Sequence, residues 1–86
     1  MRLTWADEGW EDFTSWVNDA KILRRILLVL KDIQRSPFSG IGRPEELKHR
    51  MTGWWSREID AKNRIIYRIK DDSVEILRCR GHYNDK

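Results

Sequence analysis

Three alternating stretches in the last third of the chain limit its fold more than any other feature. Apolar and polar residues alternate through WWSREI at 54–59, RIIYRIK at 64–70 and VEILRCRGHY at 74–83. The segments between them, at 60–63 and 71–73, are rich in turn-forming residues. Alternation with connections this short predicts consecutive antiparallel hairpins, and therefore a sheet.

The same alternation predicts which side chains share a face of that sheet, because successive residues of a strand point to opposite sides. In the last two stretches the basic residues fall on one face. This stripe comprises Arg64, Arg68, Arg78, Arg80 and His82.

The first half of the chain has helical periodicity instead. Apolar residues at three- and four-residue spacing from Trp10 to Val17 predict a first helix. Asp19 is a candidate N-cap of a second helix that ends near Arg35. The expected apolar face of the second helix comprises Ile22, Leu23, Ile26, Leu27, Leu30 and Ile33.

An uninterrupted apolar run at 26–30 goes round the whole second helix, since each residue turns the helix by about 100°. One core cannot cover every side of a helix. Either strands wrap it closely, or Leu28 and Val29 contact a second protomer. We favour a homodimer with these two residues in its interface.

Together these patterns predict a single α+β domain spanning residues 1–86, with the order β-α-α-β-β-β. Residues 1–5 supply the first strand, and the loop at 36–44, rich in Gly and Pro, connects the helices to the sheet. The two N-terminal helices should pack on one face of a twisted, mainly antiparallel sheet. The other face is then free to be polar and concave.

Charge placement points to a polyanionic partner. The first 20 residues hold one basic and five acidic side chains, so 16 basic and 9 acidic side chains fall in the remaining 66. Such a positive field favours nucleic acid, or else an acidic protein, as a partner. Composition alone leaves scattered solvated charge open as the alternative. One cysteine and no leader or membrane-spanning run indicate a cytoplasmic protein without a disulfide framework.

The residues near the stripe are sufficient for RNA cleavage. That reaction needs a base for the 2′-hydroxyl proton, an acid for the leaving 5′-oxygen and a cation for the phosphorane. His82 suits the acid, Glu45 or Glu46 the base, and Arg64 the phosphate. A pair formed by His49 and His82 is the alternative base and acid. We expect no metal and no cofactor, because the histidine spacing matches no metal motif.

Motifs along nearly the whole chain resemble the YoeB (Txe/YoeB) family of bacterial toxin-antitoxin toxins, a branch of the RelE-like ribonuclease fold. Their order and spacing together are specific. They comprise Leu3-Thr4-Trp5 with Trp10 and Trp16, Ser36-Pro37-Phe38, Gly40-Ile41-Gly42-Arg43-Pro44-Glu45, Leu47-Lys48-His49, Trp55-Ser56-Arg57, Arg64-Ile65-Ile66-Tyr67 and Cys79-Arg80-Gly81-His82-Tyr83.

The resemblance implies an mRNA interferase that enters the A site of the 70S ribosome and cuts the codon there. It implies Glu45 as general base, His82 as general acid, Arg64 as stabiliser of the phosphorane and Tyr83 as a residue that orients or stacks the nucleotide. The products would be a 2′,3′-cyclic phosphate and a 5′-hydroxyl, without a metal. The residues expected to contact RNA are Lys48, His49, Arg57, Arg68, Arg78 and Arg80.

The implied partners are mRNA, the ribosome and an acidic antitoxin of the YefM/Axe type, without a membrane. Three features depart from the family pattern: Glu46 stands where proline is usual, Glu58 where a second arginine is common, and Asn84-Asp85-Lys86 extend the tail. The rival hypotheses are a non-catalytic basic RNA-binding, ribosome-binding or repressor-partner module, and a ribonuclease that needs no ribosome.

Overall fold

The computed structural model describes residues 1–82, which form one mixed five-stranded sheet and two α-helices. The elements are β1 (Arg2–Trp5), α1 (Asp7–Ser15), α2 (Ala20–Arg35), β2 (Glu45–Glu46), a 3₁₀ helix (His49–Met51), β3 (Trp55–Glu58), β4 (Arg64–Lys70) and β5 (Ser73–Arg78). The predicted order is therefore confirmed, with β2 and the 3₁₀ helix as additions. Neither addition has enough residues to leave a periodic signal.

The strands lie in the order β1-β5-β4-β3-β2. β1 pairs parallel with β5, whereas the other three pairings are antiparallel. This confirms the predicted, mainly antiparallel sheet of an α+β fold. Among the residues described, neither helix is long and apolar enough to cross a membrane.

Helix α2 supplies most of the helical side of the core. Asp19 caps it as predicted, its carboxylate accepting a hydrogen bond from the Ile22 N–H at 3.2 Å. Its buried stripe packs on the apolar face of β4 and β5. The central residues of this core are Ile26, Val29, Leu30, Ile33, Ile65, Tyr67, Val74 and Ile76.

Two predictions about α2 are wrong. Val29, expected in a dimer interface, is 0% exposed in the core, and Leu27, expected in the core, is 50% exposed. The helical turn explains both, because a stripe through Ile26, Val29 and Ile33 leaves Leu27 and Leu28 on the outer side. Leu28 is 55% exposed and remains a candidate dimer contact.

Strand β5 ends at Arg78, five residues earlier than the alternation predicts. The β4–β5 register also shifts, because Ile66 pairs with Arg78 whereas Tyr67 pairs with Ile76. Leu77 is the extra residue of this bulge. Arg78 thereby stays on the open face with Ile66, and the chain beyond it leaves the sheet.

Candidate functional site

Strand register places Glu45 and Glu46 on opposite faces of the sheet. Glu45 pairs with Ser56, which pairs with Ile66, and this row lies on the face without helices. Glu46 belongs to the next row, which runs through Tyr67 in the core beneath α2. Of the two candidate bases, only Glu45 therefore shares the open face with the basic stripe.

A cavity of about 290 Å³ lies beside Glu45. Among the described residues, those that line it are Arg43, Pro44, Glu45 and Arg64. The cavity thus brings the predicted base and the predicted phosphate ligand together, although they lie on separate strands. It also adds Arg43, a cation that the sequence analysis did not single out and whose φ is +55°. The signal was present as a basic residue directly before Pro44-Glu45.

The guanidinium of Arg64 donates three long hydrogen bonds. Its Nε donates to His82 Nε2, its Nη1 to Ser56 Oγ and its Nη2 to Glu58 Oε2, each at 3.4 Å. These distances lie at the long end of hydrogen bonding. The guanidinium therefore lies among a carboxylate, a hydroxyl and an imidazole, and no short bond fixes it to any of the three.

The tail that carries His82 is held by the turn between β3 and β4. The Gly81 N–H donates to Asn63 Oδ1 at 2.8 Å, and the Gly81 carbonyl accepts from the Arg64 N–H at 3.0 Å. Asn63 is oriented in turn by Asp60, whose Oδ1 accepts from the Asn63 backbone N–H at 2.8 Å. The sequence marked these two residues only as turn formers, so their role in placing the tail was missed.

Helix α1 holds the same tail from the other side. The Cys79 N–H donates to Asp12 Oδ2 and the Cys79 carbonyl accepts from Trp16 Nε1, both at 3.0 Å. Asp12 also accepts from Arg78 Nε at 2.8 Å, a hydrogen bond that raises the pKa of Arg78. We name Asp12, Trp16, Asp60 and Asn63 the tail clamp, because their side chains fix residues 79–82 after strand pairing has ended.

Burial, together with Asp12, raises the pKa of the Cys79 thiol to about 12. A thiol with such a pKa stays protonated at neutral pH and is a poor nucleophile. Cys79 is fully buried in the core cluster. It is therefore a packing residue of the tail rather than a reactive group.

The prediction that Arg57 contacts RNA is wrong, because this side chain is 0% exposed. Its Nη1 donates to Asp32 Oδ2 at 2.6 Å and its Nη2 to the Ser36 carbonyl at 2.6 Å. Further bonds reach the carbonyls of Ser39 and Ile41 at 3.0 Å. Sequence alternation could not reveal this, since the partners lie 16 to 25 residues away along the chain.

Arg57 instead anchors the loop that leads to Glu45. Its hydrogen bond, with one from the Ile41 N–H, lowers the pKa of Asp32 below the ordinary value, so this buried carboxylate stays charged. Tyr67 completes the group by accepting from Arg57 Nε at 3.2 Å and donating to the Pro37 carbonyl at 2.6 Å. We call Arg57, Asp32 and Tyr67 the buried anchor.

The other arginines of the stripe are exposed to solvent in part, and each already has a partner. Arg68 lies over the Trp54 ring at 4.5 Å and bonds Glu75 at 2.6 Å. Arg80 lies over the Trp16 ring at 4.2 Å. Their RNA contacts, like those of Arg78, remain predictions.

Lys48 and His49 lie at the start of the 3₁₀ helix, where both are exposed. His49 is not part of the lining of the cavity beside Glu45. This location favours Glu45 over His49 as the partner of His82. The prediction for Tyr83, like the effect of the three residues that follow it, lies outside the described residues.

The comparisons with known proteins cover almost the whole chain. A family model of the YoeB-like toxin of bacterial type II toxin-antitoxin systems matches residues 5–83. Toxin YoeB of Escherichia coli K12 is 44% identical over 84 residues, covering 96% of this chain and 100% of that protein.

Solved structures agree. A YoeB/ParE toxin from Agrobacterium tumefaciens has a TM-score of 0.93 and 38% identity, covering 96% of this chain and 100% of that one. YoeB of Staphylococcus aureus, solved as a dimer and in a heterotetrameric complex with YefM, has a TM-score of 0.88 and 35% identity in both structures, covering 96% of this chain and 98% of that one. The predicted family and fold are confirmed, and the chain belongs to the YoeB-like toxins of bacterial type II toxin-antitoxin systems.

Proposed function

We propose that this toxin is an endoribonuclease that cleaves mRNA in the ribosomal A site and so stops translation. The observation that carries the proposal is the joint placement of three groups. Glu45 and Arg64 line one cavity, and His82 Nε2 lies 3.4 Å from Arg64 Nε. A carboxylate and a guanidinium that line one cavity, with an imidazole in contact with that guanidinium, match the needs of phosphodiester transfer.

In the proposed reaction, Glu45 takes the proton of the 2′-hydroxyl and the 2′-oxygen attacks the adjacent phosphorus. Arg64 binds the non-bridging oxygens and stabilises the extra negative charge of the phosphorane. His82 donates a proton to the leaving 5′-oxygen as the P–O5′ bond breaks. The products are a 2′,3′-cyclic phosphate and a 5′-hydroxyl, and the three side chains supply these roles without a metal.

The contact between Arg64 and His82 links the proposed phosphate ligand to the proposed acid. Arg64 Nε–H donates to His82 Nε2 at 3.4 Å in the free toxin. A phosphate bound by Arg64 would therefore lie beside the imidazole that donates a proton to the 5′-oxygen.

The ribosome is the proposed source of a correctly placed substrate. In the described part of the chain, the lining of the reaction cavity consists of two arginines, a proline and a glutamate, so it holds cations and a carboxylate but no aromatic ring. Cations recognise phosphates rather than base identity. A codon held by the decoding site would meet Glu45 in a fixed geometry, which is a large part of catalysis by proximity.

An acidic antitoxin segment is the proposed inhibitor. The related S. aureus protein was solved in complex with YefM. In this chain Arg64, Arg78 and Arg80 lie on or beside the open face, where an acidic segment that orders on binding would cover them. Pull-down that survives charge reversal of these three arginines would count against this surface.

Homodimer formation is proposed through the outer side of α2. Leu27 and Leu28 are exposed there, beside a groove of about 370 Å³ lined in part by Leu28 and Ile41. The related S. aureus toxin was solved as a dimer. Leu28→Glu should convert a dimer to a monomer in sedimentation, whereas Thr52→Glu on another exposed surface should leave the mass unchanged.

The deciding experiment adds purified protein to ribosomes programmed with a defined mRNA and maps new 5′ ends by primer extension. We expect a cut in the A-site codon that requires ribosomes, and its loss with Glu45→Ala or His82→Ala. Glu46→Ala is the matched control, because this adjacent carboxylate lies on the other face of the sheet. We expect it to cut as the wild type does.

Three outcomes would contradict parts of the proposal. Cleavage of free RNA at the same rate would show that the toxin does not need the ribosome. Loss of cleavage with Glu46→Ala but not with Glu45→Ala would make Glu46 the general base instead of Glu45. A block of translation with intact message would leave a binding module in which the arginines only hold phosphates.

A further inference from the structure

Glu58 is a second carboxylate on the open face beside Arg64. It ends β3 directly opposite Arg64 in the antiparallel register, and its Oε2 lies 3.4 Å from Arg64 Nη2. It lies two positions from Ser56, which pairs with Glu45, so alternation puts Glu58 and Glu45 on the same side of the sheet. Arg64 therefore lines a cavity with one carboxylate, Glu45, and forms an ion pair with the other, Glu58.

This ion pair is longer than those of two other arginines on the same pair of strands, Arg57 and Arg68. The bond from Arg57 to Asp32 and the bond from Arg68 to Glu75 are both 2.6 Å long. The Arg64–Glu58 pair is 0.8 Å longer, with side chains 19% and 28% exposed. A long pair in contact with water is weak, and a phosphate can displace one of its partners.

The backbone of Glu58 is fixed although its side chain is not. Its N–H donates to the Gly42 carbonyl at 2.6 Å, which joins β3 to the loop before Glu45. A Cβ on Gly42 would lie 2.9 Å from the Glu58 carbonyl oxygen, so this approach requires glycine, whose φ is +80° here. The carboxylate is thus held near the cavity by a rigid main chain.

We propose that Glu58 is a positioning residue that pairs with Arg64 in the free toxin and competes with the RNA phosphate for it. The inference rests on the proposed function and names an additional regulator of the same site. Glu58 keeps the guanidinium extended along the open face beside the cavity. It also lowers the local positive charge and repels an incoming phosphate, so that it weakens RNA binding.

The test measures affinity for a short fluorescent oligoribonucleotide with 2′-O-methyl sugars, which has no free 2′-hydroxyl and cannot be cleaved. The anisotropy titrations use about 50 mM salt, so that interactions between exposed charges are only weakly screened. We expect Glu58→Gln to bind about two- to fivefold more tightly than wild type, the range of one exposed ion pair. The change keeps the side-chain length and removes only the charge.

Glu46→Gln is the matched control, because it makes the same change in net charge on the other face. It should gain clearly less affinity than Glu58→Gln. In an Arg64→Ala background the difference between the two substitutions should shrink, since Glu58 no longer has an arginine to occupy and only its repulsion of the phosphate remains. Thermal unfolding confirms that all variants are folded.

Equal gains from Glu58→Gln and Glu46→Gln in the wild-type background would overturn the proposal, because net charge alone would explain them. Weaker binding by Glu58→Gln would overturn it as well.

In the A-site assay, Glu58→Gln should lower the toxin concentration that gives half of the maximal cleavage rate. The rate at saturating toxin should stay unchanged. A collapse of that rate would instead place Glu58 in proton transfer. The binding assay does not depend on cleavage. Wild-type toxin that binds the oligoribonucleotide but never cuts mRNA would therefore contradict the nuclease proposal without contradicting the role of Glu58.

Discussion

Arg57 and Arg64 lie on neighbouring strands and have opposite environments. Arg57 is fully buried, and its four bonds to oxygen atoms of Asp32, Ser36, Ser39 and Ile41 are 2.6 to 3.0 Å long. Arg64 reaches Ser56, Glu58 and His82 only at 3.4 Å. Since a guanidinium can bind a phosphate only if it can leave its present partners, the contrast distinguishes a structural arginine from the one proposed to bind phosphate.

The largest effect is expected from removal of the buried anchor. Arg57→Ala removes the buried partner of Asp32, leaves this carboxylate only the 81% exposed Arg35 as an ion-pair partner, and removes hydrogen bonds to three loop carbonyls. The free energy of unfolding should fall by about 3–5 kcal/mol. Urea denaturation measures this loss. Arg64→Ala is the control from the other side of the comparison and should cost less than about 1 kcal/mol. Similar losses for the two variants would contradict the assignment of different roles.

The second largest effect is expected on the rate of RNA cleavage rather than on the stability of the fold. Arg64→Ala should lower A-site cleavage about 100- to 1,000-fold, the usual result of removing one group that stabilises transition-state charge. Single-turnover cleavage on programmed ribosomes measures it. Arg24→Ala serves as the control, because Arg24 is exposed on α2, which packs on the other face of the sheet. An equal loss for Arg24→Ala would show that general positive charge, not the position of Arg64, matters.

A smaller effect is expected from the tail clamp. Asn63→Leu removes the acceptor of the Gly81 N–H, and misplacement of His82 should slow cleavage about tenfold, the equivalent of about 1.4 kcal/mol. The pair Asn63→Asp with Asp60→Asn restores an acceptor for Gly81 and a donor–acceptor contact within the turn. This double variant should recover most of the rate. A rate unaffected by Asn63→Leu would mean that the Asn63 bond does not place His82.

The smallest effect appears only in acid. The bond from Arg57 lowers the pKa of Asp32, so the folded state keeps this carboxylate charged where the unfolded chain binds a proton. The stabilisation is present above the ordinary value of 3.8 and is lost as the pH falls through the lower folded pKa. Stability measured between pH 7 and pH 2 should therefore fall more steeply below about 3.8 for wild type than for Asp32→Asn. Parallel curves would contradict the shift.

Local patterns were sufficient for both helices and for β1, β3, β4 and β5, but not for the short β2 and the 3₁₀ helix. The span of β4 matched the alternating stretch, and the carboxylate of Asp19 capped α2 where the helix was expected to begin. Such signals are carried by a few neighbouring residues, so they survive without knowledge of the tertiary structure. The tail did not follow its pattern, because residues 79–81 are held mainly by side chains at α1 and the β3–β4 turn, with one backbone bond from Arg64 to Gly81, rather than by continued strand pairing.

The sequence by itself determined the family, the order of helices and strands, and the set of residues from which a site could be built. The tertiary structure alone decided which of them face the open surface. It separated Glu45 from Glu46 by strand register, and Arg57 from Arg64 by burial against Asp32. Both distinctions depend on partners that are far away in sequence. The distance between a charged group and its partners, and the exclusion of water from their contact, determine whether the charge stays paired in the core or is available to a substrate.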